Sequence, residues 1–68
     1  MMKWTMDNIR AFRKQQGWTQ EDLAMELNTS KKRISMWECG VVSPRRQVRE
    51  ALDDLYAYHQ RKAAEEET

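Results

Sequence analysis

Hydrophobic positions recur along this chain in short runs of helical spacing, each opened by a capping residue and closed by a break. Ile9 and Phe12 stand three apart after Thr5, which predicts a first helix capped by Thr5 and running through about Gln15. Trp4 before that cap and Ile9 in the next turn are placed as a hydrophobic staple. Gln16 and Gly17 break the pattern. Thr19 then opens a second helix, with Asp22 placed for a weak capping box and Trp18 and Leu23 for a second staple. Leu23, Ala24 and Leu27 share one face, and Asn28 suits the left-handed conformation that ends a helix. Ser30 caps a third helix, over about residues 31–39, with Ile34 and Trp37 facing inward and Gly40 as its stop. Ser43 as cap and Pro44 at the first helical position predict the start of a fourth. Val48, Ala51, Leu52 and Leu55 keep the helical spacing, and no Gly or Pro interrupts residues 45–67. The last element therefore reads as one long helix that frays in its polar end.

A chain of 68 residues is one domain near the lower limit for a self-sufficient core. Hydrophobic residues make up 40% with three Trp, so the core is thin and a partner subunit is expected to add stability. No stretch approaches a membrane span and the N-terminus lacks the apolar run of a signal peptide, which predicts a cytoplasmic protein with no membrane partner. The single cysteine, Cys39, excludes an intramolecular disulfide and a cysteine-based metal cluster, and reads as a small filler near a helix end. The single histidine, His59, lies far in sequence from any base-and-nucleophile set. No enzyme, metal site or cofactor is expected.

The net charge of +1 says little, but its distribution is informative. Residues 1–46 carry nine Lys/Arg against five Asp/Glu, whereas residues 47–68 carry three against six. The basic part contains Lys31, Lys32 and Arg33, three cations at a helix N-terminus where the macrodipole prefers Asp or Glu. A solvated face of good helix formers is one reading of that cluster; an external anion is the other, and it is favoured.

Residues 19–40 resemble the helix-turn-helix of the phage-repressor/Cro (XRE-like) family of DNA-binding proteins. The resemblance is carried by Thr19, Gln20, Leu23, Ala24, Leu27, Ser30, Ile34 and Ser35, and above all by Trp37 and Glu38 with Gly40 two beyond. Pro44 follows where the family usually has one, and the match runs from the first helix to about Leu55. Two departures stand out. Asn28 occupies a place where the family mostly has Gly, and Asn tolerates the same backbone. The family's usual fifth helix is missing. The implied fold is all-α and lambda-repressor-like, with about four helices and an extended C-terminal helix in place of the fifth. Residues 1–55 would form the DNA-binding domain, and residues 56–68 a helical extension with a polar acidic tail.

The resemblance implies a partner, double-stranded DNA, and a role for each matching position. The third helix would enter the major groove. Ser30, Lys31, Lys32, Ser35 and Met36 would then reach base edges, Lys donating to guanine and Met36 touching a thymine methyl. Gln20, Arg33, Arg45 and Arg46 would contact phosphate or the minor groove. Arg13 and Glu38 would pair as a structural clamp between the first and third helices. For Leu55, Tyr56 and Tyr58 two readings stand: a contact in a homodimer, or packing of the tyrosines back on Trp4 and the first helix. The expected protein is a small dimeric repressor of phage or mobile-element type, acting in a bacterial cytoplasm on an inverted repeat. The alternative is an antitoxin or interaction module on the same scaffold, with the C-terminal helix binding a partner protein.

Overall fold

The computed structural model describes residues 3–66, which form α1 (Met6–Gln15), α2 (Gln20–Glu26), α3 (Lys31–Glu38) and α4 (Arg46–Glu66), with no strand among them. Each of the first three helices begins on a side-chain cap. The hydroxyl of Thr5 accepts from the Asn8 N–H, and that of Ser30 from the Arg33 N–H. At α2 the capping box is complete: the Thr19 hydroxyl accepts from the Asp22 N–H at 3.1 Å, and the Asp22 carboxylate from the Thr19 N–H at 2.9 Å.

The same three helices end alike, in a Schellman turn whose pivot has positive φ. Asn28 (φ 55°) donates its N–H to the Met25 carbonyl, and Thr29 donates to Ala24 at 2.8 Å. Gly40 (φ 77°) donates to Trp37, and Val41 to Met36. A Cβ at Gly40 would sit 2.8 Å from the sulfur of the exposed Met6 side chain, which would turn aside, so the positive φ is what calls for glycine there. Residues 27–30 thus turn the chain tightly between α2 and α3, which pack on each other, and α3 packs in turn on α1.

The core is Trp4, Ile9, Phe12, Leu23, Ala24, Ile34, Trp37 and Leu52, with Trp18, Leu27, Val48, Leu55 and Tyr56 packed around it. Phe12 is its hub. The rings of Trp4, Trp18, Tyr56 and His59 stand 5.6–6.3 Å from it.

Four details of the last helix and its approach differ from the sequence expectation. First, α4 starts at Arg46 rather than Pro44, with the Arg49 N–H donating to the Arg45 carbonyl. Pro44 is buried, and its own carbonyl accepts from the Arg49 guanidinium five residues on at 2.8 Å. Second, Ala51 is exposed, and the inward stripe is Val48, Leu52, Leu55, Tyr56 and His59. Tyr56 meets Trp4 edge-on at 5.9 Å and His59 meets Trp18 at 5.1 Å, so the core reaches well past residue 55. Third, α4 is helical through Glu66, so the fraying expected over residues 63–68 does not begin before it. Fourth, Cys39 is exposed rather than a filler. The acidic run at residues 65–67 lies partly outside the described residues. The N-terminal lead-in is tied down by one long-range bond, from the Trp4 indole N–H to the Asp53 carboxylate at 2.7 Å.

Candidate nucleic-acid interface

The surface of interest is built on α3, and α3 is held from its buried side. Ile34, Trp37 and Glu38 are its buried residues. Glu38 is 2% exposed, and it is the only charged residue buried among those described. Its carboxylate accepts from Arg13 twice, Nε at 2.7 Å and Nη2 at 2.9 Å, in the two-pronged geometry that suits guanidinium and carboxylate. The Arg13 Nη1 donates to the Trp18 carbonyl at 2.9 Å, so one guanidinium ties α1 both to α3 and to the turn before α2.

Two further groups complete the clamp. The Gln20 amide donates to Glu38 at 3.4 Å. Arg10 places its Nε 3.8 Å from the same carboxylate and donates from Nη2 to the Glu38 carbonyl at 2.7 Å. That second bond satisfies a carbonyl in the last turn of α3 and sets a cation at the negative end of its dipole. Arg10 was legible only as one of several cations on the first helix. Its spacing from Arg13, three residues on, was the available signal, because residues three apart share a helix face.

Burial pushes the Glu38 carboxyl upward, but the hydrogen bonds from Arg13 and Gln20 and the charges of Arg13 and Arg10 outweigh it. The group stays charged below the usual range. The Arg13 guanidinium moves the other way, held above its ordinary value by the bond to Glu38 against the opposing pull of burial. A depressed carboxyl stabilises the fold above the unfolded value of about 4.3, and that stabilisation is lost as pH falls through the folded value. Thermal midpoints should therefore rise with pH through this acid window. Glu38→Gln should show a flatter rise, and an equal slope in both proteins would exclude Glu38 as the titrating group.

The opposite face of α3 is exposed and basic. Lys31, Lys32 and Arg33 are exposed in its first turn, whereas Ser35 and Met36 are half-buried. Ser30 is exposed, and its oxygen already accepts from the Arg33 N–H at 3.2 Å while its own proton can still be donated. Gln20 is half-buried and turned toward Glu38, which leaves the second amide proton for another acceptor. Arg33, Met36 and Arg45 come together along one small cavity between α3 and the approach to α4. Arg46 turns instead to its own helix, with Nε 3.1 Å from Glu50 in a pair whose side chains are 84% and 59% exposed.

Of the three residues read as a dimer contact or as packing, Leu55 and Tyr56 pack in the monomer. The reason is geometric, since Tyr56 meets Phe12 of α1 and Leu55 packs against the core. Tyr58 remains 59% exposed. Among the described residues no group of His, Cys, Asp and Glu could hold a metal ion, and no helix is long and apolar enough to cross a membrane.

A helix-turn-helix family model matches residues 9–57, from Ile9 in α1 to Ala57 in α4. No curated protein and no solved structure matches the chain.

Proposed function

This chain belongs to the XRE/Cro-C1-type helix-turn-helix family, whose members are DNA-binding transcription regulators, and from that premise we propose that it is a small dimeric repressor acting on an inverted repeat. The observation that carries the reading is the division of α3 into two faces. One is fixed by Ile34, Trp37 and the buried Glu38; the other offers Lys31, Lys32 and Arg33 to solvent at the helix start. Such a helix meets an anionic groove with its N-terminal residues while its back is held rigid.

Base readout falls to Ser30, Lys31, Lys32, Ser35 and Met36, with Lys31 and Lys32 dominant because both are fully outside the core. Gln20, Arg33, Arg45 and Arg46 contact phosphate or the minor groove and position the protein without reading sequence. Arg46 reaches DNA by exchanging its exposed pair with Glu50, which costs little. Arg13 and Glu38 act as the clamp that orients α3. Residues 1–55 supply DNA binding, and the rest of α4 carries the dimer contact through Tyr58 rather than Leu55 or Tyr56. In such a dimer the two recognition helices lie about 34 Å apart, one turn of the duplex. The setting proposed is a bacterial cytoplasm, with phage or mobile-element regulation by analogy with the family.

Fluorescence anisotropy of a labelled duplex from the region upstream of this gene, against a scrambled duplex, tests the reading across a salt series. The wild-type protein should prefer the upstream duplex, with log affinity falling by about 0.9 per phosphate contact for each unit of log salt. Lys31→Ala/Lys32→Ala should lose most of the preference, since each good base contact is worth about 1–3 kcal/mol of discrimination. Equal, weak binding of both duplexes at every salt would remove the repressor reading.

A further inference from the structure

The cavity between α3 and the approach to α4 has two chemically distinct parts. Met36, Trp37, Val42 and Val48 give it an apolar lining, and Arg33, Ser43 and Arg45 a polar one. Its volume is about 140 Å³. At about 30 Å³ per water, that holds a few water molecules or a methyl group with the edge of its ring, but not a whole nucleotide. Val42 is 46% exposed although it is β-branched and apolar, and Met36 beside it is half-buried. Neither arginine side chain has a partner among the described residues; Arg33 contributes only its backbone to the Ser30 cap.

A recess lined by apolar side chains and by two arginines whose side chains are unengaged complements a ligand with an apolar knob between two anions. A DNA strand offers that arrangement at one base only. Thymine carries a C5-methyl group into the major groove, and its nucleotide lies between two phosphates. Resting on the proposed placement of α3 in the major groove, we propose that this cavity is a socket for one thymine methyl, with Met36 and Val42 as its walls and Arg33 and Arg45 on the neighbouring phosphates. Val42 thereby becomes a specificity-determining residue outside the recognition helix. Lys31 and Lys32 read hydrogen-bonding edges; the socket reads shape.

The test begins by selecting tight-binding duplexes from a randomised pool with the wild-type protein. Each thymine of an enriched duplex is then replaced singly by deoxyuridine, which removes only the methyl group. At one thymine position the replacement should weaken wild-type binding about fourfold, the value of burying one methyl-sized group. The same replacement should leave the affinity of Met36→Ala and of Val42→Ala nearly unchanged, because the walls that feel the methyl are gone. Val42 lies outside every helix, so its alanine variant retains the fold, and thermal melts of both variants check this. If duplexes are enriched but no thymine is sensitive to loss of its methyl, the socket is wrong while the DNA reading stands. If the sensitivity persists in both alanine variants, the methyl is read elsewhere and the assignment is overturned. If no sequence is enriched at all, the DNA reading falls and the socket with it.

Discussion

Replacing Glu38 by Ala is expected to cost about 3–5 kcal/mol of folding stability, the usual penalty for removing one partner of a buried ion pair. A domain of 68 residues at about 0.05–0.15 kcal/mol per residue has roughly 3–10 kcal/mol in total, so most of the margin would go. The loss arises on the partner that remains. The Arg13 side chain is 14% exposed and would keep the Trp18 carbonyl as an acceptor but lose both carboxylate oxygens. Arg10 would be affected less, because its strongest bond runs to the backbone carbonyl of residue 38, which the substitution leaves in place. Arg13→Ala/Glu38→Ala should accordingly be more stable than the sum of the single losses predicts, since neither charge is then left alone. Urea titrations of the four proteins followed by circular dichroism measure this. A loss below about 1 kcal/mol for Glu38→Ala would mean that the pair behaves as an exposed one.

The clamp also bears on function. Glu38 sits in the last turn of α3, and the cationic cluster sits in the first. Arg13, Gln20 and Arg10 fix the far end of an eight-residue helix, so they set the angle at which Lys31 and Lys32 are presented. Three cations at a helix N-terminus oppose the macrodipole, and they are tolerable where the helix is secured elsewhere. Buried electrostatics on one side of α3 thus support exposed electrostatics on the other.

Local chemistry made the helix boundaries of the first three elements readable from sequence. Thr5, Thr19 and Ser30 cap through their own hydroxyls, and Gly17, Asn28 and Gly40 take the positive φ that a Schellman turn requires. Each signal lies within six residues of its effect. The departures lie in α4 and its approach. Pro44 after Ser43 is a strong local start signal, yet the Arg49 side chain takes the Pro44 carbonyl and the helix begins two residues later. Tyr56 takes the second of the two readings open to it, packing on Trp4 and Phe12, and the periodicity of α4 alone could not choose between them because the crossing of α4 over α1 is not written in either helix. Ala51 fitted the spacing of the apolar stripe but falls on its exposed side. In the candidate interface, the exposure of Lys31 and Lys32 followed from the pattern around Ile34 and Trp37. The cavity did not, since its walls come from α3, from the turn after it and from α4, and only folding brings them together.

Phe12→Ala is expected to be as damaging as loss of Glu38, for a different reason. Phe12 is 1% exposed, and its ring is the one that Trp4, Trp18, Tyr56 and His59 all approach. Truncating a buried aromatic costs about 3–5 kcal/mol through lost transfer energy and the cavity left behind. Here the cavity has few means of closing. Trp4 is anchored by its bond to Asp53, and Trp18 is held by the turn that Arg13 secures. Tyr56 and His59 sit on a continuous helix that cannot shift one ring inward without moving the whole element. Phe12→Leu keeps most of the volume and should cost less, since near-isosteric apolar exchanges are usually below about 1.5 kcal/mol. The difference between the two variants separates volume from edge-to-face ring contacts, each worth about 0.5–1.5 kcal/mol. Thermal melts read by far-ultraviolet circular dichroism give the stability, and tryptophan fluorescence reports whether Trp4 and Trp18 become wet together. If Phe12→Ala melts within a few degrees of the parent, helices α1 and α4 do not depend on one shared ring cluster. A steep loss in Phe12→Ala and a small one in Phe12→Leu would place the end of the folded unit at His59, in the middle of α4, and make Tyr56 part of what keeps α1 in position to hold α3.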